Sequence, residues 1–270
     1  MVESTVNISG AAAMPEYRET PAASDTPGHR LFRDTYEPGV TPARLRMRAA
    51  AESTVLAAGI DPLVLNLFLI HYSIQGVGMT EPVESWVDRA GRRCEEIGLS
   101  KLGRSLRLHA KAEANHHLMF IEDTRALAAR WDARGLTALN WDRLRAQPMS
   151  GGVERYRALH EDVIASDSPF SELAIECEIE RLSVDLGPRF LDHCQRVLGP
   201  TILGGLSFLK EHVELDVGHT NFNEEQIAMF FDLRPESIST MLAAGGEALD
   251  AYAEFVRDCY RLAVADAEII

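Results

Sequence analysis

Apolar residues recur at intervals of three and four along most of the chain, the spacing that lines one face of an α-helix. No sustained alternating run of β-branched residues interrupts them. The pattern predicts helices over 42–58, 61–77, 82–97, 101–132, 152–165, 169–186, 188–198, 201–220 and 235–264. Breakers stand between them: "GIDP" at 59–62, "GVGMTEP" at 76–82, "PMSGG" at 148–152, "LGP" at 198–200 and "LRPE" at 233–236. Residues 1–40 differ, with Pro15, Pro21, Pro27 and Pro38 scattered among small and polar residues. That stretch is expected to be a flexible arm. The rest, 41–270, shows no internal repeat and is expected to form a single all-α domain.

Three of these helices carry polar groups where the pattern asks for apolar ones. In "FLKEHVELDVGHTNFNE" at 208–224, His212, Asp216, His219 and Asn223 follow at steps of four, three and four, so they share a face with Phe208. Glu214 points the opposite way, with Lys210, toward solvent. In "RSLRLHAKAEANHHLMFIEDT" at 104–124, His109, Glu113, His116, Phe120 and Asp123 line one face, and Arg104, Arg107, Lys111 and Glu122 the other. His117 is off that line. In "SELAIECEIERLSVDLG" at 171–187, Glu176 and Glu180 turn inward between apolar stripes, while Glu178, Arg181 and Asp185 make an expected solvent face. An unpaired buried polar group costs about 1–3 kcal/mol, and an ionised glutamate is almost never fully buried without a partner. So many of them need a common reason.

Composition narrows that reason. Of 270 residues, 46% are hydrophobic and 25% charged, enough for a substantial core. The net charge of −14 argues against a nucleic-acid partner or an anionic membrane surface. Cys94, Cys177, Cys194 and Cys259 are far apart with no CxxC pair, which fits reduced thiols. There is no signal segment, and no apolar run approaches the roughly 20 residues that span a bilayer. A cytoplasmic protein that binds neither nucleic acid nor membrane is expected.

Four imidazoles and several carboxylates aimed at one interior suit iron or manganese. Zinc more often takes thiolates or a compact set of three or four ligands. The number of ligands suggests two metal ions inside a helix bundle. A lone His-x3-Asp is more often an i,i+4 ion pair; its repetition across three helices favours metal. His71 in "LFLIHYSIQG" reads as a core or pocket histidine, and His29, His160 and His193 lack a supporting constellation.

"HVELDVGH" (212–219) resembles the C-terminal motif of the heme-oxygenase-like di-iron oxidases and oxygenases. "EANHHLMFIED" (113–123) is similar to their earlier ligand helix, and Glu176 or Glu180 stands where their intervening glutamate belongs. The resemblance covers about residues 60–230. It implies a heme-oxygenase-like seven-helix bundle, with ligands at His116, at one of Glu176 and Glu180, and at His212, Asp216 and His219. His109 stands where many members place a glutamate, and Glu113 where others do, so both are candidates.

The implied cofactors are two Fe2+ ions, with O2 as co-substrate activated through a peroxo-type intermediate and no heme. Asp123, Asn115 and Asn223 are candidates to take up the second ring N–H of the histidines. The expected reaction is oxidation or oxygenation of a small, amino-acid-like metabolite in specialised biosynthesis. His71, Tyr72, Gln75 and Met79 would line its pocket, and Arg181 or Arg189 would hold its carboxylate. A homodimer is expected. The competing readings are a non-catalytic metal-binding bundle and a metal-free, thiaminase-II-like enzyme on the same fold.

Overall fold

The structure, a computed structural model, describes residues 25–270. A short α1 (Pro27–Leu31) runs through a π-turn into α2 (Glu37–Glu52), followed by α3 (Pro62–Thr80), α4 (Val83–Glu96), α5 (Ser100–Ala112) and α6 (His117–Ala133). Then come α7 (Trp141–Arg145), α8 (Gly151–Ala165), α9 (Glu172–Leu198), α10 (Ser207–Leu233) and α11 (Ile238–Ala267). Among the described residues all regular structure is helical, as the periodicity predicts.

The breakers act where expected. Asp61 caps α3, its side chain accepting from Leu63 N at 2.8 Å with Pro62 in the first turn. Gly98 and Gly199 take positive φ at helix ends. α9 and α10 pair along their length, and α11 packs against α2, α3, α8 and α9. The core between them is filled by large side chains such as Phe68, Trp86, Trp131, Phe231 and Phe255. α4 and α5 approach closely because Gly91 and Gly103 face each other. A Cβ on Gly91 would sit 2.7 Å from Gly103 O, and one on Gly103 only 2.4 Å from Gly91 O. That contact sets the position of α5, and with it His109.

Five differences from the sequence reading bear on the site. The helix expected over 101–132 is two helices, α5 and α6, separated by a turn in which Asn115 takes φ 69°. No Pro or Gly marks this break; Asn is the residue that tolerates the left-handed region best after glycine. The helices expected over 169–186 and 188–198 are one. α9 runs through Pro188 because its apolar face continues on both sides, with Leu186, Phe190 and Cys194 buried. α10 extends to Leu233, well past 220, which places Asn223 inside it.

The expected arm is the fourth difference. Residues 27–40 are helical and packed: Gly28 N donates to Asp232 Oδ1 at 2.7 Å, and Tyr36 and Val40 are buried. The part of the arm over 1–24 lies outside the described residues. This packed segment also overturns the solvent face assigned to Glu178, which is 1% exposed. Tyr36 Oη donates to it at 3.1 Å, and Arg44 donates to both its oxygens at 2.7 and 2.8 Å. The fifth concerns hydropathy. The segment Pro62–Glu96, which includes α3, is long and apolar enough to cross a bilayer, unlike the sequence expectation, but 67% of its most apolar window is buried within the fold.

Candidate metal centre

The turn between α5 and α6 faces the middle of α9 and the first half of α10. His109 ends one helix, Glu113 and His116 sit in the turn, and Glu176 and Glu180 approach from α9. His212, Asp216 and His219 approach from α10 at the spacing the sequence showed. All are buried except Glu113, which is half-buried. The break at Asn115 brings His116 toward His212: His116 Nδ1 lies 3.2 Å from His212 Nε2.

The ligand atoms fall into two groups that share Glu113. In the first, donor atoms of His109, Glu113, Glu180 and His219 all lie within 4.8 Å of one another; in the second, those of Glu113, His116 and His212 do. Glu113 reaches both with separate oxygens. Its Oε1 is 3.5 Å from His109 Nε2 and 4.0 Å from His219 Nδ1, and its Oε2 is 3.1 Å from His116 Nδ1.

His109 Nε2 is 3.1 Å from Glu180 Oε1, and His219 Nδ1 is 3.3 Å from the same oxygen. Yet His109 Nε2, Glu180 Oε1, His219 Nδ1 and Asp216 Oδ2 are all buried without a hydrogen-bond partner. His109 Nε2 and His219 Nδ1, both within 3.3 Å of Glu180 Oε1 yet misaligned for hydrogen bonding, converge on a common point. A cation there would satisfy lone pairs that otherwise go unpaired at a cost of about 1–3 kcal/mol each. The residues of the first group therefore fit a metal ion, and the donors of Glu113, His116 and His212 lie close enough together to hold a second.

Two contacts orient the ligands. His212 Nδ1 donates to Phe208 O at 2.8 Å, which leaves Nε2 with a free lone pair toward His116. Asn223 Nδ2 donates to Glu180 Oε2 at 2.6 Å, which leaves Oε1 directed at the centre.

Electrostatics match. Burial pushes His212 down to about 4, so it is a neutral donor at pH 7. Burial, reinforced by the charges of Glu180 and Glu113, pushes Asp216 up to about 9. Burial opposes a charged His109, but the charges of Glu180 and Glu113 outweigh it and hold that ring well above its ordinary value. Burial raises Glu176 well above the usual carboxylate range.

A group whose pKa rises on folding stabilises the fold while protonated and stops doing so as pH climbs through its folded value. Glu113 and Glu180, despite burial, are held below their ordinary values by their histidine neighbours. His212, lowered on folding, works the opposite way only below its ordinary value of 6.5, so between about pH 6.5 and 9 the metal-free protein is expected to lose thermal stability as pH rises. Asp216→Asn should flatten that slope, and metal binding at pH 7 should release protons. Melting curves and proton release on metal titration check this; a Tm rising with pH would contradict it.

The remaining sequence candidates divide. Asn223, expected beside a histidine ring, donates instead to the candidate ligand Glu180. Asp123 does not touch the histidines. It accepts from Ser207 N and Oγ, each at 2.7 Å, and from Phe208 N at 3.0 Å, so it holds the start of α10 in place. Asn115 is exposed and serves the turn through its backbone.

Met79 lines the cavity over the centre. Tyr72 lines the neighbouring one, its hydroxyl 2.7 Å from that of Tyr252. The other substrate candidates are engaged elsewhere. His71 pairs with Asp266 at 3.1 Å beside Arg143, and Gln75 bonds Pro148 O and Ser150 N at 2.9 Å. Arg181 pairs with Glu37 and Glu224, and Arg189 forms an exposed pair with Glu52. None of these four lines the cavity of the centre.

One cluster went unseen in the sequence. His160 and Glu172, both fully buried, meet at 2.7 Å beneath Trp86, whose ring stacks on the imidazole at 4.1 Å. Glu176 completes this group while standing 3.6 Å from His109 Nε2. Its signal was the apolar face Val153–Tyr156–His160–Val163 on α8, which leaves His160 nowhere to go but inward.

No protein-family model and no curated protein matches the chain. Among solved structures similar in fold are the following two. One is a domain of unknown function with a heme oxygenase-like fold from Shewanella denitrificans OS217, at 15% identity and TM-score 0.59, covering 86% of this chain and 90% of that one. The other is a TenA homolog from Pseudomonas syringae pv. tomato DC3000, also at 15% identity and TM-score 0.59, covering 85% of this chain and 93% of that one. The chain has the heme-oxygenase-like fold, in one all-α domain. At this identity the likeness speaks for the fold alone.

Proposed function

We propose that the protein is a non-heme, O2-dependent oxidase or oxygenase of a small molecule, built on a pair of iron ions held between α5–α6, α9 and α10. The observation that carries this reading is the set of buried, unpartnered donor atoms converging from three helices, with Glu113 common to both groups. Mixed imidazole and carboxylate donors suit iron better than zinc. His109, Glu180 and His219 would hold one ion, and His116 and His212 the other, with Glu113 spanning both. Asp216, 3.7 Å from His219, stands at the edge of the first. Two Fe2+ ions, once bound, would supply the electrons that reduce O2.

The chain's own part is positional. Asn223 and Phe208 O would fix ligand orientation, and Asp216 holds a proton at neutral pH in the metal-free protein. Met79, Phe120, Ile179 and Phe208 wall the cavity with apolar surface that keeps bulk water from the reacting atoms. Anaerobic protein given Fe(II) and then mixed rapidly with O2 is expected to show a transient visible absorbance within seconds. Oxygen consumption at the rate of Fe(II) in buffer, with no transient, would count against the reading.

A second reading is favoured by the TenA homolog among the fold relatives: a metal-free enzyme using the same cavity. It predicts that the carboxylates and histidines pair only with one another and that no metal is retained.

A further inference from the structure

The cavity over the metal centre is not alone. A second cavity adjoins it across Ser183 and Tyr252, which line both. Each has a volume of about 70 Å³. The second is walled by Met47, Ala51, Val55, Phe68, Leu182 and Phe190, with other apolar neighbours, and among the described residues no charged side chain lines it. The side-chain polar groups on its described lining are the hydroxyls of Ser183, Tyr72 and Tyr252. The two tyrosine hydroxyls bond each other at 2.7 Å. The hydroxyls of Ser183 and Tyr252 therefore stand between an apolar compartment and the one that holds the carboxylates and histidines of the centre.

We propose that this second cavity receives the body of the substrate, and that the substrate is a small neutral molecule of mainly hydrocarbon character. Its body lies among Ala51, Val55, Phe68 and Phe190, and the end to be oxidised passes Ser183 and the tyrosine pair toward the metal centre. The assignment rests on the metal-centre reading.

Charge is what decides the class. Among the described residues no lysine or arginine lines either cavity, whereas the first carries Glu113, Glu176, Glu180 and Asp216. A substrate body bearing a carboxylate or phosphate would find no fixed cation among the described residues that line the second cavity. An anion desolvated without a partner is strongly disfavoured. The two arginines the sequence offered for a carboxylate are occupied on other faces of the fold. An amino-acid-like substrate thus loses its anchor, while a hydrocarbon body gains one, and a lone hydroxyl or carbonyl finds partners at Ser183, Tyr72 and Tyr252.

The test is calorimetric titration of the full chain, metal-free and Fe(II)-loaded under anaerobic conditions, with 1-butanol through 1-octanol and with norleucine. Affinity is expected to rise about fourfold per added methylene until the cavity is filled, and norleucine is expected not to bind. Ala51→Phe, which places a ring inside the cavity, should weaken hexanol binding by tenfold or more while leaving metal uptake at two ions per chain. Circular dichroism checks that this variant is folded; if it is not, the chain-length dependence of the natural protein still decides.

Absence of alcohol binding, affinity independent of chain length, or norleucine binding as tightly as hexanol would overturn the proposal, and with two metals retained would leave the metal-centre reading intact. Alcohol binding by a protein that takes up no metal would overturn the metal-centre reading, and with it the assignment of this cavity to a substrate.

Discussion

Protein carrying Glu113→Ala, loaded anaerobically with Fe(II), is expected to retain no tightly held metal, whereas His219→Ala is expected to retain one ion per chain. The asymmetry follows from geometry. His219 belongs to one group of donors, with His109, Glu113 and Glu180, and Glu113 belongs to both. Its Oε1 faces His109 and His219, and its Oε2 faces His116. Removing a group that merely orients a ligand costs about 10–100-fold in metal affinity, so Asn223→Ala should fall in that range, and loss of a ligand itself should exceed it. Glu214, exposed on the same helix as His219, is the control: Glu214→Ala should retain two ions. Metal analysis after gel filtration reads all four variants. Equal retention by Glu113→Ala and Glu214→Ala would mean that the shared carboxylate does not link the two groups.

The second large effect is on stability and leaves the chemistry untouched. Glu178 is buried on the side of α9 that meets α2, where Arg44 binds both its oxygens and Tyr36 adds a third hydrogen bond. Deleting one member of a buried charge pair costs about 3–5 kcal/mol, because the partner is left without compensation. Arg44 keeps Glu37 at 2.7 Å, so the lower end applies. Glu178→Ala should lower Tm by roughly 10 °C, with metal content and activity per folded molecule unchanged, since Glu178 does not line the centre's cavity. A drop of less than 2 °C would mean that the packing of residues 27–52 against α9 contributes little.

Glu178 also shows what the sequence could and could not reveal. Helical periodicity identified the face of α10 correctly: His212, Asp216, His219 and Asn223 are buried and Glu214 is not. It did so because that helix is regular across the whole motif. Periodicity assigned Glu178 to solvent because it describes one helix at a time, and the element that covers this face, residues 27–40, looks like a loose arm from its proline content. Pro27 instead stands in the first turn of a helix, where proline is well placed.

The turn at Asn115 failed for a related reason. Nothing in "EANHH" breaks a helix by composition, yet a left-handed asparagine does, and the break is what swings His116 against His212. The difference between Glu176 and Glu180 needed a partner helix as well: Asn223 bonds Glu180, while Glu176 stands between the centre and the His160–Glu172 pair. The sequence also placed Arg181 and Arg189 near the substrate, because spacing alone does not say which carboxylates reach them first.

The central claim is that these helices enclose a two-metal centre, and metal stoichiometry tests it most directly. The full chain, incubated anaerobically with excess Fe(II) and freed of unbound metal, should carry two iron ions per chain by elemental analysis, and the His212→Ala/His219→Ala double variant should carry none. Natural protein that emerges without metal, or with metal that the double variant holds equally well, would contradict the account.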